Sequence, residues 1–184
     1  MDEARLVKIS KYLAKHLRHQ PERLGLTLAP GGWVGVDDLL HACARHGFSI
    51  TRAELDEVVA TNNKSRYAYD SAGALIRANQ GHSVEVDLQL EPVMPPDVLY
   101  HGTGHGAVAA IEEHGLHRMA RHHVHLSGDS ETATTVGARH GRPVVFAVDA
   151  AAMSRDGHIF YRSANGVWLS DHILPRYLRV IQPD

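Results

Sequence analysis

An α+β protein of two lobes is the fold class this 184-residue sequence predicts. Three observations carry it. The first half holds three segments of helical period followed by two short strand-like runs. The second half alternates strand-like runs with short helical ones and closes in hairpin-like strands. Between them Pro92, Pro95 and Pro96 fall within five residues, a spacing that resists both helix and central strand.

In chain order, a helix is expected from about Glu3 to His19, because Leu6, Ile9, Leu13 and Leu17 recur at helical spacing, and Pro21 stops it. Extended pieces follow around Pro30-Gly31-Gly32-Trp33-Val34. A second helix covers Val36 to His46. A third opens at Thr51, with Glu54 three residues on as a capping box. Arg66 to Asp70 and Ala74 to Arg77, joined through Ser71-Ala72-Gly73, read as a hairpin. Helices closed by a hairpin predict a winged-helix lobe over residues 1–91, with the junction at 92–96 and a second lobe over 97–184.

In that second lobe Asp97 to His101 reads as a strand, Gly106 to Gly115 as a helix and His123 to Ser127 as another strand. Ser130 to His140 is helical and Pro143 to Val148 is a buried strand. Ile159 to Tyr161 and Val167 to Leu169 frame an Asn165-Gly166 turn.

Composition narrows the function classes. A formal net charge of −2 supplies no broad positive field, so a nucleic acid partner needs a local patch. Lys8, Lys11, Lys15 and Arg18 offer one, spaced along one face of the first helix; an ordinary solvated face explains the same spacing. Cys43 is the only cysteine, which excludes an internal disulfide. No apolar run approaches the roughly 20 residues that cross a bilayer, and the start at Met1-Asp2-Glu3 does not read as a signal peptide. No membrane association, a cytoplasmic location and a monomer are the expectations.

Fifteen histidines invite a site. Arginine, histidine and small hydroxyl residues gather around glycines in Ile76-Arg77-Ala78-Asn79-Gln80-Gly81-His82-Ser83 and in His101-Gly102-Thr103, a combination suited to phosphates and a nucleotide. Gly102-Thr103-Gly104-His105-Gly106-Ala107 also fits the G-x-G-x-x-A dinucleotide fingerprint, with Asp129 after the next strand. Too little chain remains for a doubly wound parallel sheet. His123 and His125 alternate along a strand as metal ligands do, without a third ligand nearby, and no metal is expected. Asp129 also reads as a helix N-cap, and Arg139 as a cation in the last turn of a helix ended by Gly141.

These motifs together resemble the tRNA 2′-phosphotransferases, an NAD-dependent RNA-repair family. The likeness covers nearly the whole chain. It runs through Ser10-Lys11-Tyr12-Leu13, Leu17-Arg18-His19, Gly32-Trp33-Val34, the segment from Ile76 to Ser83, and Leu99-Tyr100-His101-Gly102-Thr103. It continues through His123-Val124-His125-Leu126-Ser127, Val136-Gly137-Ala138-Arg139-His140-Gly141 and Asn165-Gly166-Val167-Trp168-Leu169.

The resemblance implies a winged-helix RNA lobe followed by an ADP-ribosyltransferase-like lobe that holds NAD as co-substrate. It implies that Arg18, His19, Arg77 and Arg139 serve the 2′-phosphate. His101 and His125 match two histidines of the transferase fold, and Val167 stands where other transferases carry a glutamate. Around NAD the expected residues are His101, Gly102, Thr103, His125, Ser127, Asp129 and Asn165, with Arg121 as a weaker candidate. Lys11, Lys15 and His82 are the candidates for RNA.

The implied reaction moves an internal 2′-phosphate of a tRNA-like RNA to NAD through an ADP-ribosylated RNA. It leaves 2′-OH RNA, nicotinamide and ADP-ribose 1″,2″-cyclic phosphate. Two other readings use the same residues: an ADP-ribosyltransferase of phosphorylated nucleic acid ends, and a non-catalytic winged-helix nucleic acid binder.

Overall fold

Asp2 starts the first helix by accepting a hydrogen bond from the Arg5 backbone N–H at 2.7 Å, and α1 then runs Glu3–Arg18 in the computed structural model. Residues 1–62, 65–84 and 86–181 are described. The chain divides into two units, Met1–Gln89 and Leu90–Asp184.

In the first unit α1 buries Ile9, Leu13 and Leu17 and leaves Lys11 and Lys15 exposed. A 3₁₀ turn over Pro21–Leu24 ends this first stretch, and the short β1 (Val34–Gly35) leads into α2 (Val36–Arg45). Helix α3 (Arg52–Thr61) carries the expected capping box between Thr51 and Glu54. Glu54 also accepts from the Arg5 Nε at 2.9 Å, tying α3 to α1; the guanidinium and the cap together hold its carboxyl down at about 2.

Strands β2 (Tyr67–Tyr69) and β3 (Leu75–Ala78) form the expected hairpin, and β1 adds to β3, giving the order β1-β3-β2 with Ala68 opposite Arg77. Leu39, Cys43, Leu55, Val58, Tyr67 and Ile76 complete the core over α1. The Tyr67 hydroxyl donates to the Ser10 carbonyl at 2.6 Å, so the hairpin is pinned to the middle of α1.

The second unit begins by pairing. Pro92 bridges Tyr161 and the Val93 N–H donates to the Phe160 carbonyl at 2.8 Å. Its elements are β4 (Val98–Gly104), α4 (Val108–His114), β5 (Val124–Leu126), α5 (Ser130–Gly137), β6 (Pro143–Asp149), α6 (Ala150–Arg155), β7 (Tyr161–Arg162), β8 (Trp168–Ser170) and β9 (Leu178–Ile181). They build two three-stranded sheets, β4-β6-β9 and β5-β8-β7, joined by an antiparallel bridge between Tyr100 and Ser127. Leu99, Leu126, Phe146, Val148, Met153, Phe160 and Ile173 fill its core.

Every strand pairing named here is antiparallel, which excludes the dinucleotide-fold reading of the 102–107 glycines. Gly102 and Gly104 lie inside β4 rather than after it, and a 3₁₀ turn over His105–Ala107 precedes α4. Their physical reason is packing against α5 and the turn that follows it. A Cβ at Gly102 would stand 1.6 Å from the Ala133 carbonyl oxygen, and one at Gly104 would stand 2.2 Å from that of His140. Backbone lies on both sides of these clashes. Gly102→Ala is therefore expected to cost at least about 3 kcal/mol of stability, measured by urea unfolding, where an exposed glycine such as Gly106, with open space at its Cβ, tolerates alanine.

Candidate functional site

In the first unit the end of α1 is held by the segment after β3. The Arg18 carbonyl, left without an intrahelical partner at the helix end, accepts from the Ser83 N–H at 2.8 Å and from the Val84 N–H at 3.4 Å. The His19 Nδ1 lies 2.8 Å from the Ser83 hydroxyl. A Cβ at Gly81 would come 3.6 Å from the Arg18 Nη1, so this glycine lies beside the guanidinium.

Arg77 is seated differently. Its guanidinium carbon stands 4.5 Å from the Trp33 ring centroid, and its Nη1 donates to the Gly31 carbonyl at 3.4 Å. Gly31 and Gly32 have φ of +85° and +79°, which side chains rarely adopt, and a Cβ at Gly31 would meet the Trp33 ring at 2.9 Å. His82 is buried and packs on Gly32, where a Cβ would lie 3.3 Å from its Nε2. The Gly31-Gly32-Trp33 turn thus seats both Arg77 and His82.

Arg77 is half-buried, its Nε has no hydrogen-bond partner, and no carboxylate pairs with it among the described residues. Burial pushes its pKa down. A guanidinium removed from water in this way is stabilised by an arriving anion, and its planar fork matches the oxygens of a phosphate. Lys11 and Lys15 stand exposed along α1, while Lys8 lies 5.7 Å from the Phe48 ring centroid.

In the second unit His101 and Thr103 alternate with Gly102 on β4 and so occupy the face away from α5. The His101 Nδ1 lies 3.0 Å from the His125 carbonyl oxygen; a carbonyl only accepts, so this nitrogen carries the proton. Burial is the main influence on the ring and lowers its pKa, leaving a neutral imidazole whose Nε2 is an acceptor. His125 has the opposite tautomer. Arg121 Nη1 donates to its Nδ1 at 3.0 Å, which leaves the proton on Nε2. The register that brings the two histidines together comes from the backbone exchange between Tyr100 and Ser127, at 2.9 and 2.7 Å.

Other candidates have structural duties. Asp129 caps α5, one carboxylate oxygen accepting from the Thr132 N–H at 2.6 Å and the other from its hydroxyl at 2.9 Å; these bonds lower its pKa. Asn165 accepts from the Ser163 hydroxyl within the turn completed by Gly166. Arg139 lies in an exposed 3₁₀ turn over Ala138–His140, and no carboxylate pairs with it among the described residues. Among those residues no three His, Cys, Asp or Glu side chains converge as metal ligands; His123 instead meets Tyr161, ring centroids 5.4 Å apart.

Residues 4–172 match the model of the RNA 2′-phosphotransferase, Tpt1 / KptA family. The chain belongs to this family. Among similar proteins, one of Nostoc punctiforme named a probable RNA 2′-phosphotransferase is 65% identical over 98% of this chain and 100% of its own. One of the same name from Streptomyces coelicolor is 61% identical over the whole of both chains, and one from Hahella chejuensis is 49% identical over 97% of this chain and 96% of its own.

Three contacts of the candidate residues were not read from the sequence: Trp33 under Arg77, Ser83 beside His19, and Arg121, there only a weaker candidate around NAD, as the donor to His125. Trp33 carried a signal, an aromatic directly after two glycines. Ser83 has its partner 64 residues away, and Arg121 meets His125 four residues on without a helix between them to signal it. Arg121→Ala is expected to release the His125 tautomer, so that the ¹⁵N signals of its ring, distinct in the wild type, move towards a common averaged position while those of His101 stay put.

Proposed function

We propose that this chain is an NAD-dependent RNA 2′-phosphotransferase acting on an internal 2′-phosphate of a tRNA-like RNA. The observation that carries this reading is the half-buried Arg77, over Trp33 and without a paired carboxylate among the described residues, in a unit whose α1 leads into Arg18-His19. The family of the chain and the names of its relatives support it. The first unit, with three helices and the sheet β1-β3-β2, is read as a winged-helix RNA lobe, and the second, with two bridged antiparallel sheets, as an ADP-ribosyltransferase-like lobe.

NAD is the co-substrate, and the residues present suit it. A ribose offers hydroxyls that both donate and accept, and His101 brings an acceptor nitrogen where His125 brings a donor. Thr103 and Ser127 carry hydroxyls two residues along from them, and Gly102 lets β4 pack closely on α5. Asp129 and Asn165 act chiefly by holding the α5 cap and the 163–167 turn in place.

In the first step an RNA 2′-phosphate oxygen attacks C1″ of the nicotinamide ribose, and nicotinamide leaves with the bonding electrons. A phosphate is already anionic, so orientation by Arg18, His19 and Arg77 matters more than a strong base, and Val167 in place of a glutamate is intelligible. In the second step the ribose 2″-OH attacks the same phosphorus and the RNA 2′ oxygen departs with a proton. Charge then grows on the phosphoryl oxygens, where the Arg139 guanidinium stabilises it. His19, whose type titrates near neutrality, is the proton carrier. The products are RNA with a 2′-OH and ADP-ribose 1″,2″-cyclic phosphate.

The test is incubation of the protein with NAD and a short RNA bearing one internal 2′-phosphate, with RNA and nucleotide products resolved over time. Dephosphorylated RNA and an equal amount of the cyclic phosphate, strictly dependent on NAD, are expected. RNA that stops at the ADP-ribosylated stage would assign an end-modifying transferase, and no NAD consumption a binding protein.

Arg139→Ala is expected to slow the second step more than the first, so that ADP-ribosylated RNA accumulates during a single turnover. Loss of activity without that species would remove Arg139 from the second step. Lys11→Ala with Lys15→Ala should weaken RNA binding and reduce the slope of log affinity against log salt by about 1 to 2, with NAD affinity unchanged.

A further inference from the structure

We propose that Ser83 is a positioning residue for His19: its hydroxyl holds the Nδ1 side of the imidazole so that Nε2 is the nitrogen that meets the substrate phosphate. This rests on the reading of Arg18-His19 as part of the phosphate site.

His19 is the C-cap of α1: its backbone N–H donates to the Lys15 carbonyl at 3.2 Å, but with φ of −126° the chain leaves helical geometry there, and its ring is exposed. An exposed imidazole on such a backbone has rotamers to lose, and a catalytic group that must find its pose at each turnover wastes rate. The segment after β3 removes that freedom in three ways. Ser83 and Val84 donate their N–H groups to the Arg18 carbonyl at 2.8 and 3.4 Å, which fixes the backbone immediately before His19. Gly81, with φ of +86°, turns the chain beside the Arg18 guanidinium. The Ser83 hydroxyl then reaches the His19 Nδ1 at 2.8 Å, across 64 residues of sequence.

A serine suits this place chemically. Its hydroxyl both donates and accepts. When Nε2 gives its proton to the substrate side or takes one from it, Nδ1 keeps its own proton, and the Ser83 oxygen accepts from it in both the imidazolium and the neutral ring. The contact therefore survives the proton transfer assigned to His19. A carboxylate at this position would favour the imidazolium and hold the proton; a hydroxyl leaves the ring able to give it up.

The test combines kinetics on the 2′-phosphorylated RNA with ¹⁵N spectra of the His19 ring in Ser83→Ala and Ser83→Thr. The proposal predicts that Ser83→Ala lowers kcat about tenfold, the worth of one positioned hydrogen bond, with KM for NAD and RNA near the wild-type values. Ser83→Thr keeps the hydroxyl and should stay within about threefold of wild type on the same scale. In the spectra Ser83→Ala shifts the His19 Nδ1 signal, which loses the Ser83 hydroxyl, and Ser83→Thr keeps the wild-type position.

Adding Ser83→Ala to His19→Asn should cause little further loss, since the residue acts through His19. Three results would overturn the proposal: an unchanged His19 spectrum in Ser83→Ala, a raised KM for RNA at unchanged kcat, which would put Ser83 on the substrate itself, or an equal loss in the His19→Asn background. The spectra need no turnover. If the wild-type protein transfers no phosphate, the function reading fails, and the His19 spectra still decide whether Ser83 sets the ring.

Discussion

A half-buried guanidinium with no carboxylate paired to it among the described residues is the constraint around which the first unit is arranged. Most buried charges are paired, because an unpaired one is costly. Arg77 instead has an aromatic face under it, one backbone carbonyl, and an Nε with no partner among the described residues. The features around it follow from that requirement. Two consecutive glycines at positive φ bring Trp33 beneath the charge, β3 carries Arg77 out of the core hairpin, and the continuation through Gly81 to Val84 closes on the end of α1. The fold thus keeps a cation partly desolvated, which strengthens whatever anion arrives.

The second unit solves a different problem, holding two imidazoles in opposite tautomers. Neither ring's state is a property of its own residue type. His101 is set by burial and by a carbonyl on β5, His125 by a guanidinium four residues upstream. The first setting depends on β4 lying in register with β5, and β4 in turn lies so close to α5 that Gly102 has no room for a methyl group. Local chemistry is delegated here to strand placement, and strand placement to glycine.

Much of this was legible in the sequence where the cause is local. The amphipathic α1, the Thr51-Glu54 capping box and the hairpin over Ser71-Ala72-Gly73 are short-range patterns, and they formed within a residue or two of their expected ends. The motif around Arg77 drew attention because arginine, histidine and glycine are adjacent in it, and the structure seats Arg77 and His82 on one Gly31-Gly32-Trp33 turn. What could not be read depends on distant partners. The glycines of β4 look like a nucleotide fingerprint until α5 is seen against them. The short α6, Ala150–Arg155, is too brief to show a helical period, and the pairing of β9 with β6 is a tertiary choice. The contact of Ser83 with the His19 ring, across 64 residues, is equally invisible before folding.

The central claim is that the first unit carries a site for a phosphate rather than for RNA in general. It is tested most directly by calorimetric titration of the protein, without NAD, with two RNAs identical except for one internal 2′-phosphate. Affinity at least about tenfold higher for the phosphorylated strand, falling to parity in Arg77→Met, is the result expected from a charge-assisted contact of the kind argued for Arg77. Equal affinity for the two strands in the wild-type protein would contradict it.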